Sequence, residues 1–148
     1  MTEASAFLGI FLSAFLAATL LPAQSEIGLG YLILYTDHSL GLLIVFASLG
    51  NTLGAVVNWL IGCGLAKSVT KLEKIQVSPS YQKISGLYQK FGQWTLLLSW
   101  LPIVGDPITV IAGIFKIPFK RFLLFVALAK TSRYLVVAFL AENFSFVS

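Results

Sequence analysis

The longest apolar run of the chain, Leu40 to Ala66, holds no charged residue. Wound as an α-helix it is about 40 Å long, more than the roughly 30 Å of a bilayer's hydrocarbon core. A second apolar stretch, residues 122–142, has similar reach, although it carries Lys130 and Arg133. The rest of the chain has little with which to cover these runs. Of 148 residues, 57% are hydrophobic and 11% charged, with a mean hydropathy of +0.89. An ordinary soluble domain is about 25% charged. A water-soluble globular fold is therefore excluded, and a small polytopic membrane protein is expected.

Ten basic residues stand against six acidic ones, for a net charge of +4. Their placement argues against a nucleic-acid site. Lys67, Lys71, Lys74, Lys83 and Lys90 share one polar stretch, and Lys116, Lys120 and Arg121 share another. Short basic segments between apolar ones mark the cytoplasmic face of a membrane protein. The single cysteine, Cys63, sits between two glycines in an apolar run and reads as a small packing residue. The first residues, Met1-Thr2-Glu3-Ala4, lack the basic segment of a signal peptide.

Residues 4–21 are apolar and end at Leu20-Leu21-Pro22, a stretch that could just span alone. Two short apolar pieces, 27–36 and 107–115, are too short to cross a bilayer as helices. Each follows a proline and an acid. Re-entrant hairpins fit them better than thin spans, because non-helical backbone at membrane depth survives only against protein or water. Between the halves, residues 67–92 are polar and basic, with apolar residues at Leu72, Ile75, Ile84, Leu87 and Phe91. This pattern predicts amphipathic helices at the membrane surface, broken near Ser78-Pro79. The fold expected is all-α and integral to the membrane, with two spanning helices and two opposed re-entrant hairpins. The whole chain, 1–148, forms one membrane domain: half one at 1–66, the connection at 67–92, and half two at 93–148.

The halves align without gaps at an offset of 80 residues, so that Pro22 and Glu26 fall on Pro102 and Asp106. Both basic segments are expected on the cytoplasmic side, so the two long helices run in opposite directions. Opposed hairpins in halves of opposite topology are the pattern of an inverted-repeat transporter with a midplane site.

Glu26, Asp106, Lys130 and Arg133 are the ionisable residues at membrane depth. Unpaired, the four would together cost roughly 12 kcal/mol. They must pair, snorkel or line water. One reading is an ion-pair staple; the other is a pathway for an anionic or zwitterionic head group, with Lys130 and Arg133 on one helix face attracting phosphate. The offset places no cation on the helix following Glu26, so Glu26 is expected to carry a proton. Asp106 is expected to stay ionised as the partner of Lys130 and Arg133. Gly50, Asn51, Gly54 and Asn58 share a stripe, either a small-residue packing face or a polar path through Asn51 and Asn58. Pro22 and Pro102 read as hairpin breaks, the three tryptophans as packing or interfacial residues, and His38 as a solvated turn residue. No GxSxG, HExxH, P-loop or paired-His motif is present, so neither an enzyme, a metal site nor a cofactor is expected.

The blocks Leu20-Leu21-Pro22-Ala23-Gln24-Ser25-Glu26, Gly50-Asn51-Thr52-Leu53-Gly54 and Leu98-Ser99-Trp100-Leu101-Pro102-Ile103-Val104-Gly105-Asp106, with Ala112-Gly113, resemble the DedA family. The likeness is strongest to its short YqaA-like branch, whose proteins carry the SNARE-associated or VTT domain. It implies two opposed re-entrant loops and a role in moving lipids across the bacterial inner membrane. Glu26 matches the acid after the first hairpin's proline, and Ala112-Gly113 the pair after the second hairpin. Larger members carry arginines three residues before and after the second proline, where this chain has Ser99 and Gly105. The expected partners are therefore membrane lipids and protons, with a second copy of the chain admitted. The function expected is lipid transport or scrambling through Glu26, Asp106, Arg133, Lys130 and Asn51. A proton-coupled exporter of small cations and a non-transporting scaffold are the alternatives.

Overall fold

The computed structural model describes residues 2–19 and 24–145. All regular structure among them is helical: α1 (Glu3–Thr19), α2 (Gln24–Tyr35), α3 (Leu40–Leu65), α4 (Val69–Gln76), α5 (Pro79–Phe91), a 3-10 segment (Gly92–Trp100), α6 (Gly105–Ile114) and α7 (Phe119–Ser145). Two of these, over Leu40–Leu65 and Phe119–Asn143, are long and apolar enough to cross a membrane.

Contacts gather into two compact units, Met1–Gly54 with Lys130–Ser148, and Ala55–Ala129. In the first unit, Ala6, Ile10 and Ala14 of α1 pack with Leu29 and Leu32 of α2, Leu43, Ile44 and Ala47 of α3, and Tyr134 and Ala138 of α7. Small residues face inward on α1, while Leu8, Leu12 and Leu16 are exposed. A helix that buries its alanines and shows its leucines suits hydrocarbon rather than water. The closest approach is α1 on α3. A Cβ on Gly50 would collide with the Phe11 carbonyl, and one on Gly54 would lie 2.7 Å from the Phe15 carbonyl. The packing reading of the glycine stripe is thus met at both positions. His38 is half-buried against Phe7, ring centroids 5.8 Å apart, instead of standing free in solvent.

In the second unit Ile84 and Tyr88 of α5 join Leu96, Ile108, Ile111 and Phe122 in the core. The break at Ser78-Pro79 is as expected: Ser78 Oγ accepts the Tyr81 N–H at 3.2 Å and Pro79 opens α5. Phe91 is exposed, and Tyr81 and Tyr88 take the inner face. Burial pushes the Tyr88 phenol up, so it stays a neutral donor to the Ile108 carbonyl at 3.4 Å. Here α3 meets α6 backbone to backbone, the Cβ of either Gly62 or Gly113 falling 2.9 Å from the other's Cα. Trp59 packs on Phe119 and Phe122 and donates its indole N–H to the Ile117 carbonyl at 3.2 Å.

Helices α2 and α6 begin earlier than their apolar runs. The first turn of a helix has free N–H groups and a positive dipole end, so Glu26, Asp106 and Pro107 are compatible with it. Helix α6 ends in a Schellman motif, the Ile117 N–H donating to Ala112 and the Lys116 N–H to Gly113, with Lys116 in the left-handed region at φ 53°. Lys116→Gly should therefore raise the thermal stability of the detergent-solubilised protein by about 1 kcal/mol. By contrast, Gly50→Leu should cost about 3 kcal/mol or more by prising α1 from α3. Gly64→Ala, whose Cβ meets nothing within 4 Å, should be neutral or stabilising in the same melting assay.

Candidate functional site: a polar centre in the first unit

Three helices bring polar side chains together within the first unit. The first turn of α2 supplies Ser25 and Glu26, where the helix dipole favours a carboxylate. The middle of α3 supplies Ser48 and Asn51, three residues apart and so on one face. Helix α7 supplies Arg133 and Tyr134. Arg133 Nη2 meets Glu26 Oε1 as an ion pair of largely buried side chains. Beside it, Asn51 Nδ2 donates to the Tyr134 hydroxyl at 2.7 Å, and that hydroxyl lies 2.8 Å from Ser25 Oγ. With its lone pair taken by Asn51, the Tyr134 O–H is free to donate to Ser25, giving a chain that ties α3, α7 and α2 together.

Burial is close to complete. Ser25 and Tyr134 are 0% exposed, Asn51 2%, Lys130 1% and Arg133 8%. Two oxygens in this region, Ser48 Oγ and Asn51 Oδ1, have no hydrogen-bond partner among the described residues. Buried acceptors left this way cost about 1–3 kcal/mol each. They mark the α3 face of the centre as one that can take a further donor.

The expected site residues divide as follows. Glu26, Arg133 and Asn51 converge. The expectation that Glu26 lacks a cation is overturned, because Arg133 pairs with it. Offset arithmetic compared positions within one half, whereas the ion pair joins α2 to α7. Lys130, one helical turn before Arg133, is buried. Asp106 opens α6 in the second unit. Pro22 lies outside the described residues. Pro102 is exposed in the turn 101–104, where the Val104 N–H donates to its carbonyl at 2.7 Å and Ile103 takes φ 67°. Asn58, the other polar residue of the stripe, donates to Thr109 Oγ1 at 3.3 Å in the second unit. Sequence reasoning missed Ser25 and Tyr134 as site members. The signal for Tyr134 was a hydroxyl adjoining Arg133 inside an apolar run.

Ser99 and Gly105, the two positions at which the sequence departs from the larger members' pattern, form a contact of their own. Ser99 is fully buried, and a Cβ on Gly105 would lie 2.5 Å from the Ser99 carbonyl oxygen. Backbone fills the space that a side chain at 105 would need.

The ion pair makes a stability prediction. Arg133→Ala or Glu26→Ala alone should cost about 3–5 kcal/mol by leaving one buried charge unpaired, whereas the Glu26→Leu/Arg133→Leu double variant should lie near wild type. Tyr134→Phe should cost about 1–3 kcal/mol by removing the hydroxyl between Asn51 and Ser25. Melting temperatures of the four proteins in one detergent check both statements.

Known proteins align over nearly the whole chain. The VTT domain profile matches residues 18–143. The chain is 36% identical over 138 residues to the inner membrane protein YqaA of Escherichia coli (strain K12), covering 93% of this chain and 92% of that one. It is 34% identical over 151 residues to an uncharacterized protein of Haemophilus influenzae, covering 96% and 91%. No solved structure matches. With the profile covering most of its length and a relative matched nearly end to end, the chain belongs to the VTT-domain, or DedA, family.

Proposed function

We propose that the protein sits in the bacterial inner membrane and moves lipid head groups, phospholipid or polyprenyl phosphate, through the polar centre of α2, α3 and α7. The observation that carries this reading is the Glu26–Arg133 pair buried within otherwise apolar helices. Ionisable residues at such depth are costly and mark substrate or proton paths. The Escherichia coli relative, an inner membrane protein by name, supports the location. The order of elements supports an inverted repeat: α1 and α2 precede one long helix, and the 3-10 segment and α6 precede the other. In this reading both short pairs are re-entrant, the chain is multi-pass, and the basic segments face the cytoplasm.

The Arg133 guanidinium offers a planar fork that matches a phosphate as well as a carboxylate. An arriving head group takes the fork, and Glu26 leaves it. Asn51 and Ser48 present the unpartnered oxygens to donors on the head group. Lys130, buried one helical turn before Arg133, is the further charged residue proposed for the pathway.

Proteoliposomes with head-group-labelled phosphatidylglycerol and phosphatidylethanolamine, read by quenching of the outer leaflet, test this. The wild type should accelerate exchange between leaflets. The Glu26→Gln/Arg133→Gln variant, which removes both charges together and keeps a hydrogen-bonding group at each position, should fold and lose flux. Glu26→Gln alone, which removes the competing charge and leaves the Arg133 fork open to a phosphate, should keep flux. Wild-type flux in the double variant would refute the role of the pair, and no flux of any lipid in the wild type would leave the pair as a structural staple.

A further inference from the structure

A second feature, wholly within the other unit, is not used by the polar centre. An open cavity of about 550 Å³ lies where the end of α5, the start of the 3-10 segment, the end of α6 and the start of α7 meet. Its walls are aromatic, from Tyr88, Phe91, Trp94 and Phe115, and its polar groups include Gln93 and Arg121. Trp94 is 62% exposed and Phe91 50%, large apolar faces that water would not favour. Trp94 is braced edge-on by Phe125 at 5.3 Å, and Phe115 is held between Tyr81 and Tyr88 at 6.1 and 5.4 Å. Gly92, at φ 57° and ψ −137°, makes the turn that sets Trp94 opposite α7.

Charge is one-sided here. The two chain segments that build the cavity, 88–94 and 115–121, hold Lys90, Lys116, Lys120 and Arg121 and no acid. The first turn of α7 adds backbone N–H groups that have no partner within the helix, at its positive dipole end. An aromatic cup lined by a guanidinium, beside a helix start, suits an amphiphile with an anionic head.

We propose that this cavity is a binding site for an anionic phospholipid, held in place and not transported. Arg121 takes the phosphate through its fork, and Trp94 and Phe91 cover the glycerol and upper acyl chains. The inference rests on the reading that α7 crosses the bilayer, which puts its first turn at the lipid–water boundary, where tryptophan and arginine favour contact with head groups. Lipid movement through Glu26 and Arg133 is not required for it.

The test uses the full-length protein in phosphatidylcholine nanodiscs doped with acyl-brominated phosphatidylglycerol. The Trp94 signal is isolated as the difference between wild type and Trp94→Phe. Brominated phosphatidylglycerol should quench Trp94 at lower mole fraction than brominated phosphatidylcholine. Arg121→Gln, an exposed position that should not disturb folding, should weaken that preference by roughly tenfold. Lys120→Gln, outside the cavity wall, should preserve it. Equal quenching by the two lipids, no quenching by either, or an unchanged preference in Arg121→Gln would overturn the proposal. So would displacement by inorganic phosphate, which would make this a site for the free anion. Leaflet exchange measured on Arg121→Gln should equal wild type. Failure of lipid exchange in the wild type would count against the transport reading alone, because the Trp94 preference is read independently.

Discussion

Two ionised side chains removed from water impose conditions that the surrounding helices must meet. The Arg133–Glu26 pair recovers its desolvation cost only if the geometry is held and the remaining polar atoms nearby are occupied. Tyr134, adjacent to Arg133 on α7, does part of this by joining Asn51 and Ser25. Three helices are thereby fixed at one level, and the apolar cluster of Leu29, Leu43, Ala47 and Ala138 closes around them. Remove the charges together and the helices could pack as an ordinary apolar bundle. Their retention in so apolar a chain is the argument that they serve something besides stability.

The long helices were legible because charge-free runs of that length have few other fates, and the amphipathic connection was legible from its periodicity and its proline. Element starts were less so. Helices α2 and α6 recruit polar residues into their first turns, which an apolar-run reading assigns to loops. The 3-10 winding of residues 92–100 has no mark in composition. On α5 the apolar pattern did not single out Tyr81 and Tyr88 as the residues that pack inward, because tyrosine is amphipathic. The candidate site was legible in its residue types but not in its pairing. Nothing local in sequence tells Arg133 that its partner is Glu26 rather than Asp106, since the choice is made by which helices touch.

Both units use the same means of bringing helices close. On α3, Gly50 and Gly54 receive α1 in one unit, and Gly62 receives Gly113 of α6 in the other. Helices in lipid gain little from hiding apolar surface, so close contact through small residues replaces the hydrophobic drive of a soluble core. The large side chains that would fill a soluble interior stand outside instead, on α1, α3 and α7.

The contact between Gly105 and Ser99 constrains which substitutions this turn accepts. The obstruction at position 105 is a backbone carbonyl, so no change of the residue-99 side chain relieves it. With this path through residues 99–105, a long side chain at 105 is not reached by one substitution, or by a compensating pair at those two sites. The turn would first have to be re-routed, by insertion or deletion between Trp100 and Val104. Without that re-routing, a cationic side chain added to this chain fits only at other places than 105.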